Sequence, residues 1–345
     1  MAPFKGALIG CGFFARNHLH AWRGLEEAEL VAVCDRDRDR AEQAAREFDI
    51  PAVYDDAEAL FAGENLDFVD IATTAPSHRP LVSLAVRHAQ TVICQKPFAE
   101  TLEDGQAMVA AARAAGAALI IHENFRWQKP FVTLKQMVDD GRIGSLQFAR
   151  FSFRHGFDNY VNQPYLAEIE RFTIMDVGLH LFDLARHFMG DVARIACNSQ
   201  RLNPKVRGED AFTAMLVHES GTTTICDCSF RSVIDPDPFP RTLAWIEGEA
   251  GTLALATDGQ LTLHTKDGRQ VFAEAPAIPA WGEAPWHFVQ DSVIRFQTHV
   301  IDVMAGRAAA QPSGADNLKT LALALSAYDA AASGTTIHID KGDTL

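Results

Sequence analysis

The sequence predicts an α/β protein in two parts: a doubly wound parallel sheet over residues 1–123, then an α+β region over 124–345 with a large, mostly antiparallel open sheet. Three observations carry this. Short apolar runs alternate with helix-like segments through the first third of the chain, the pattern of a parallel sheet covered on both faces. After residue 123 the strand-like runs lengthen and are separated by turn glycines, which favours antiparallel pairing. A length of 345 residues with 48% hydrophobic content is enough for about two globular cores.

In chain order, Leu8-Ile9, Leu30 to Cys34, Phe68 to Ile71, Thr91 to Cys94 and Ala118 to Ile121 are the parallel strands. They are short, rich in β-branched residues and nearly continuous in apolar character, as strands buried on both faces must be. His18 to Leu25, Arg40 to Phe48, Pro80 to His88 and Leu102 to Ala115 are the helices between them. In the second part "SLQFARFSFRHG", "AFTAMLVHE", "TTTICDCSF", "TLAWIEG" and "QLTLHT" read as strands, with Gly221, Gly248, Gly251, Gly259 and Gly268 as turn residues. Trp286 to Ala305 and residues 316–332 close the chain as helices, and the last of these could pack on either part.

A formal net charge of −14 argues against nucleic acid and anionic membrane as partners. Arg, Gly or Asp interrupts every apolar stretch short of the ~18 residues a membrane span needs. The opening "MAPFKGALIG" enters a strand directly and lacks the zones of a signal peptide. Cys11, Cys34, Cys94, Cys197, Cys226 and Cys228 lie in apolar runs without C-x-x-C pairing. They read as reduced core thiols in a cytoplasmic protein.

The segment "ALIGCGFFARNHLHAW" places Gly10-x-Gly12-x-x-Ala15 between the first strand and the first helix. Gly10 permits a tight turn, Gly12 lets the backbone approach a pyrophosphate, and Ala15 allows close helix–strand packing. The pyrophosphate would then meet free N–H groups at the positive helix end, flanked by Phe13 and Phe14. The second strand ends at Asp35, 25 residues after Gly10, where a carboxylate can hold the adenosine ribose 2′-hydroxyl. Asp35 is also a candidate cap for the next helix. Its charge repels a 2′-phosphate while Arg36 attracts one, so NAD is favoured and NADP is secondary.

Ligands of open parallel sheets bind beyond the carboxyl ends of the strands. Three further strand ends carry polar residues here: Thr73 to His78, Gln95-Lys96-Pro97, and His122-Glu123-Asn124. Lys96 is either an ordinary surface lysine at a strand tip or a functional group facing a nicotinamide ring. In the second part, "RFTIMDVGLHLFDLARHFMG" puts Asp176, His180, Asp183 and His187 on one helical face, at i, i+4, i+7 and i+11. That face could be solvated, could ligate zinc through His180 and His187, or could carry an Asp–His acid/base pair. Ile174, Val177, Leu181, Leu184 and Phe188 argue for a packed helix, and no cysteine or H-E-x-x-H pattern supports a metal.

Taken together, Gly10-x-Gly12-x-x-Ala15, the acidic second-strand end, Lys96-Pro97 and Asp176-x-Gly178-x-His180-x-x-Asp183 resemble the glucose–fructose oxidoreductase/inositol dehydrogenase (Gfo/Idh/MocA) family over nearly the whole chain. The resemblance implies a Rossmann domain and a second domain whose open sheet pairs subunits into a homodimer or homotetramer. It implies nicotinamide-dependent oxidation or reduction of sugars and cyclic polyols. On the family pattern Lys96 is the catalytic lysine and Asp176 and His180 are the substrate-side pair. The cofactor contacts would then be Gly10, Gly12, Phe13, Phe14, Asp35, Arg36, Thr73, His78, Gln95, Lys96 and Asn124. Position 95 departs from the family, which has Glu-Lys-Pro there; a glutamine can only hydrogen-bond. Aromatic and basic residues in "NFRWQKPF" and "FSFRHGFDNYVNQPY" suit a polyhydroxylated ring, so Arg126, Trp127 and Arg154 join Lys96, Asp176 and His180 as substrate-binding candidates. The arginines leave room for a sugar acid. A non-catalytic dinucleotide or sugar sensor, and an NAD-assisted elimination or glycoside hydrolysis, are the competing functions.

Overall fold

The computed structural model describes residues 2–161, 163–257 and 259–339. They form two compact units. Among the described residues, the first takes 2–124 together with Val293–Leu318; the second takes Phe125–Ser292 and 319–339. The contiguous second part read from the sequence therefore gives up Val293–Leu318, and the last helix is divided between the units.

The first unit runs β1 (Phe4–Ile9), α1 (Ala15–Arg23), β2 (Ala28–Cys34), α2 (Arg38–Phe48), β3 (Ala52–Tyr54), α3 (Ala57–Gly63), β4 (Phe68–Ile71), α4 (His78–Ala85), β5 (Thr91–Gln95), α5 (Leu102–Ala115) and β6 (Ala118–His122). Its sheet has the order β3-β2-β1-β4-β5-β6, and every recorded pairing is parallel. Strand order reverses between β1 and β4, which is the switch point where doubly wound sheets bind ligands. Side-chain caps start the helices: Asp37 accepts from Arg40 N–H at α2, Asp56 from Ala59 N–H at α3, and Thr101 from Asp104 N–H at α5. Leu8, Leu19, Val33 and Phe48 share one core cluster, which docks α1 and α2 on the sheet. β3 and α3 were not expected from the sequence; a three-residue edge strand is too short to show a periodicity. At the opposite edge an isolated bridge joins Ile120 of β6 to Ser313.

The second unit contains α6 (Lys129–Asp139), β7 (Leu146–Arg154), α7 (Leu179–Met189), β8 (Val192–Gln200), β9 (Ala211–His218), β10 (Thr223–Ser229), β11 (Leu243–Gly248), β12 (Gly251–Leu255), β13 (Gln260–Thr265) and β14 (Gly268–Ala273). α8 (His287–Met304) and α9 (Gly314–Ser333) follow, then β15 (Ile337–His338). The sheet has nine strands in the order β14-β13-β12-β11-β7-β10-β9-β8-β15. Its recorded pairs are antiparallel except β7 with β10. Strand alternation sorts the two faces. Phe151, Phe153, Cys226 and Cys228 are buried on the face covered by α7, where Cys226 Sγ approaches Leu181 O and Phe188 packs on Phe151. Arg150, Ser152, Arg154 and Asp227 occupy the other face, with Met215, Trp245 and Val271 exposed on it. Among the described residues no helix is long and apolar enough to cross a membrane.

Candidate active site

Register brings the cofactor-side residues to one edge of the first sheet. Ile9 pairs with Cys34 and Ile71, Ile71 with Cys94, and Gln95 with His122. Gly10, Asp35, Thr73, Lys96 and Glu123 therefore all follow strands that end together. Gly10 has φ +96°, and a Cβ there would lie 2.7 Å from Thr73 Cγ2 and 2.9 Å from Thr73 N. Only glycine fits both demands. Gly12 is different: an added Cβ would meet nothing within 4 Å. The first turn of α1 has neither a side-chain cap nor an acidic residue, so its N–H groups and positive dipole end are offered outward. These residues fit a dinucleotide pyrophosphate. Gly12→Ala should accordingly keep the wild-type melting temperature but weaken NAD binding severalfold in calorimetric titration. An unchanged affinity would remove the close backbone approach assigned to Gly12.

Asp35 accepts Cys11 N–H on Oδ2 at 2.7 Å and Asp37 N–H on Oδ1 at 2.9 Å. The cap of α2 is Asp37, so the alternative role for Asp35 as that cap falls away. Its carboxylate is pinned at the strand tip beside the glycine loop. Arg36 is exposed next to it, Phe13 is 59% exposed, and Phe14 sets its ring edge against His18 and His122. Thr73 Oγ1 accepts the Ser77 hydroxyl. His78 is fully buried, with Nδ1 3.1 Å from Phe98 O and Nε2 3.1 Å from Thr73 O, and burial lowers its pKa. It pins the loops after β4 and β5 to each other. That is a supporting place, where the sequence suggested a cofactor contact.

Gln95 also differs from expectation. It is buried, its Oε1 accepts Lys96 N–H at 2.7 Å, and its Nε2 lies 3.0 Å from His18 Nε2. Both ends of the amide are thus engaged within the first unit, Oε1 by the Lys96 backbone and Nε2 by His18. Lys96 is half-buried and joined to Pro97 by a cis peptide; Asn124 is buried just beyond β6.

In the second unit the segment Ile174–Gly178 is a π-helical turn leading into α7. A π turn carries an extra residue and is frequent at functional sites. Asp176 sits within it and His180 is the second residue of α7, so the continuous α-helical face drawn from the sequence is interrupted between them. The His180 ring stacks on Phe125 with centroids 3.7 Å apart and planes 4° from parallel. Arg126 does not reach out to a substrate as expected: both it and Asp183 are buried, and its Nε donates to Asp183 Oδ2 at 2.7 Å while Nη2 donates to Oδ1. Arg154 is likewise taken, bonded to Asp227 on the sheet face away from α7. Trp127 is half-buried in the short turn before α6. Burial and the cations Arg126 and Lys135 push the His187 pKa down to about 3.

Comparison with known proteins gives the family. Residues 4–123 match the family model for an oxidoreductase with an NAD-binding Rossmann fold, and residues 131–254 match the GFO/IDH/MocA C-terminal domain. The chain belongs to the Gfo/Idh/MocA oxidoreductase family. As a member it is an NAD-binding oxidoreductase, and the expected fold and cofactor hold. It is 49% identical over 336 residues to a D-apiose dehydrogenase of Paraburkholderia graminis, covering 97% of this chain and 90% of that one. It is 46% identical over 339 residues to a D-apiose dehydrogenase of Rhizobium rhizogenes, covering 98% of each. An oxidoreductase from Agrobacterium radiobacter, solved in complex with NAD+, L-tartaric acid and magnesium, superposes with a TM-score of 0.95 at 46% identity, over 99% of both chains. Levoglucosan dehydrogenase, solved with NADH and levoglucosan, shares the fold at a TM-score of 0.84 and 19% identity, over 98% of this chain and 100% of that one.

Two further buried polar residues lie in the second unit of this oxidoreductase. Glu209 accepts Ile174 N–H at 2.9 Å and the Tyr328 hydroxyl at 2.8 Å on Oε1, and Phe172 N–H at 3.3 Å on Oε2. Its carboxylate thus closes the N-terminus of the segment bearing Asp176 and His180. His155 follows β7 and is buried among Phe153, Phe230 and Phe239. Burial lowers its pKa from 6.5 to about 4, against smaller upward pulls from Asp237 and the Phe157 backbone. Because the folded state resists protonation, His155 is neutral in both states above pH 6.5, and stability is lost as pH falls from about 6.5 to about 4. The full loss is about 3 kcal/mol at roughly 1.4 kcal/mol per pH unit. His155→Phe should flatten this part of the stability–pH curve in chemical denaturation. An identical slope would place the acid sensitivity elsewhere.

Proposed function

We propose that this protein is a D-apiose dehydrogenase, using NAD to oxidise a hydroxyl-bearing carbon of the neutral sugar. The observation that carries the reading is 49% and 46% identity to two D-apiose dehydrogenases over 97% and 98% of the chain. The site agrees with a neutral sugar: of the arginines that could hold a carboxylate, Arg126 is engaged by Asp183 and Arg154 by Asp227.

Bound NAD supplies the hydride acceptor. The chain supplies binding, orientation and proton handling. The Gly10–Gly12 loop and the N-terminus of α1 hold the pyrophosphate, and Asp35 holds the adenosine ribose and disfavours a 2′-phosphate. Lys96 hydrogen-bonds the sugar oxygen that becomes the carbonyl, stabilising negative charge as it develops there. His180, its ring plane fixed by Phe125, accepts the hydroxyl proton, and Asp176 binds a neighbouring hydroxyl.

The test is a panel of sugars, polyols and sugar acids followed by NADH absorbance. D-apiose with NAD should give the highest kcat/KM in the panel, with NADP poorer. A better polyol or sugar acid would overturn the substrate, and NADP preference would overturn the role of Asp35. We further propose a cytoplasmic homodimer or homotetramer built through the sheet face carrying Met215, Trp245 and Val271, since a broad exposed apolar face is commonly an interface. A monomer by light scattering would exclude it.

A further inference from the structure

Beneath Lys96 the first unit buries a directed chain of side-chain hydrogen bonds. It runs from Gln95 at the end of β5 to His18 on α1 and Asp70 in β4; His18 and Asp70 are wholly inaccessible. The polarity of each link can be read in turn. Lys96 N–H can only donate, so the Gln95 atom 2.7 Å away is the carbonyl Oε1. The amide nitrogen therefore faces His18 Nε2 at 3.0 Å and donates to it. That ring nitrogen must be bare, so Nδ1 carries the hydrogen and donates to Asp70 Oδ2 at 2.8 Å. The same carboxylate oxygen accepts Trp22 Nε1–H at 2.8 Å. The His18 ring is clamped by stacking on His122 at 4.1 Å and by the edge of Phe14.

With glutamine at position 95 and a neutral His18, each of these bonds pairs one donor with one acceptor. A glutamate there would present two acceptors, and His18 would then need hydrogens on both nitrogens to satisfy Asp70 as well. Position 95 and the His18 tautomer are thus coupled. The chain also ties α1, whose N-terminus follows the glycine loop, to the strand tip presenting Lys96.

Building on the role assigned above to Lys96, we propose that His18 is a positioning residue: as the neutral Nδ1–H tautomer it holds Gln95, and through Gln95 the Lys96 backbone, in register with the cofactor loop.

Imidazole ¹⁵N NMR of the full-length protein tests the tautomer without substrate, the His18 signals being assigned by their loss in His18→Phe. The wild type should show Nδ1 protonated and Nε2 bare, and Gln95→Glu should show both nitrogens protonated. A wild-type Nε2–H tautomer, an imidazolium, or an unchanged ring in Gln95→Glu overturns the proposal. The rate arm uses whichever sugar in the panel reduces NAD, so failure of D-apiose as substrate leaves both arms intact. His18→Phe keeps the ring stack and removes both the acceptor for Gln95 and the donor to Asp70, which keeps Trp22 as a donor. It should lower kcat about three- to tenfold, the size of the one neutral hydrogen bond lost at Gln95, with little change in NAD affinity. It should also raise the deuterium isotope effect on kcat. The double variant His18→Phe/Gln95→Met should be no slower than the slower single variant. Multiplying effects, or an unchanged kcat and isotope effect in His18→Phe, would mean that His18 does not act through Gln95 on the reaction.

Discussion

His180→Ala is expected to lower kcat/KM by at least about 100-fold, the usual cost of removing a positioned general base being 10²–10⁴-fold. NAD affinity should stay near normal, because the glycine loop and Asp35 lie in the other unit. Oxidation of a hydroxyl requires the neutral imidazole, so wild-type kcat/KM should rise with pH as His180 loses its proton. The variant should lose that ascending limb along with the rate. A surviving limb with a reduced rate would transfer the base role to another group, with Lys96 the first to examine. A surviving rate would make His180 structural, stacked on the Phe125 ring.

Asp183→Ala should destabilise the protein by about 3–5 kcal/mol, because it withdraws the carboxylate from a guanidinium that stays buried. The Arg126–Asp183 pair joins the turn after β6 to α7, the helix that carries His180, so activity should fall with stability. A double variant, Arg126→Met with Asp183→Leu, removes both charges and should recover much of the lost stability in chemical denaturation. If the single variant unfolds at the wild-type denaturant concentration, the pair contributes nothing to holding the helix. If the double variant is no better than the single, uncompensated burial of Arg126 is not the source of the loss.

The parts of the molecule that were legible beforehand are those governed by local periodicity and tight steric rules. The parallel strands of the first unit showed as apolar runs because both faces are covered, and Gly10 showed because only glycine suits its place. What escaped is set by contacts between residues far apart in sequence. Arg126 and Arg154 looked available for a carboxylate because Asp183 and Asp227 are 57 and 73 positions away. Gln95 looked like a weakened glutamate because His18, its hydrogen-bond partner, lies 77 positions earlier. Glu209 had no signature, since it caps from another element. The π turn at Ile174–Gly178 escaped for a different reason: its extra residue leaves the i, i+4 spacing of the letters unchanged while altering the face they occupy.

The most direct measurement of the central claim is mass spectrometry of the nicotinamide formed when D-apiose, deuterated at every carbon, turns over with NAD. Direct hydride transfer from sugar to cofactor should yield NADH carrying one deuterium, in amount equal to the oxidised sugar. Sugar consumed without accumulation of NADH would point instead to a redox-neutral elimination or hydrolysis, and no turnover of any sugar in the panel would point to a sensor; either result contradicts the dehydrogenase.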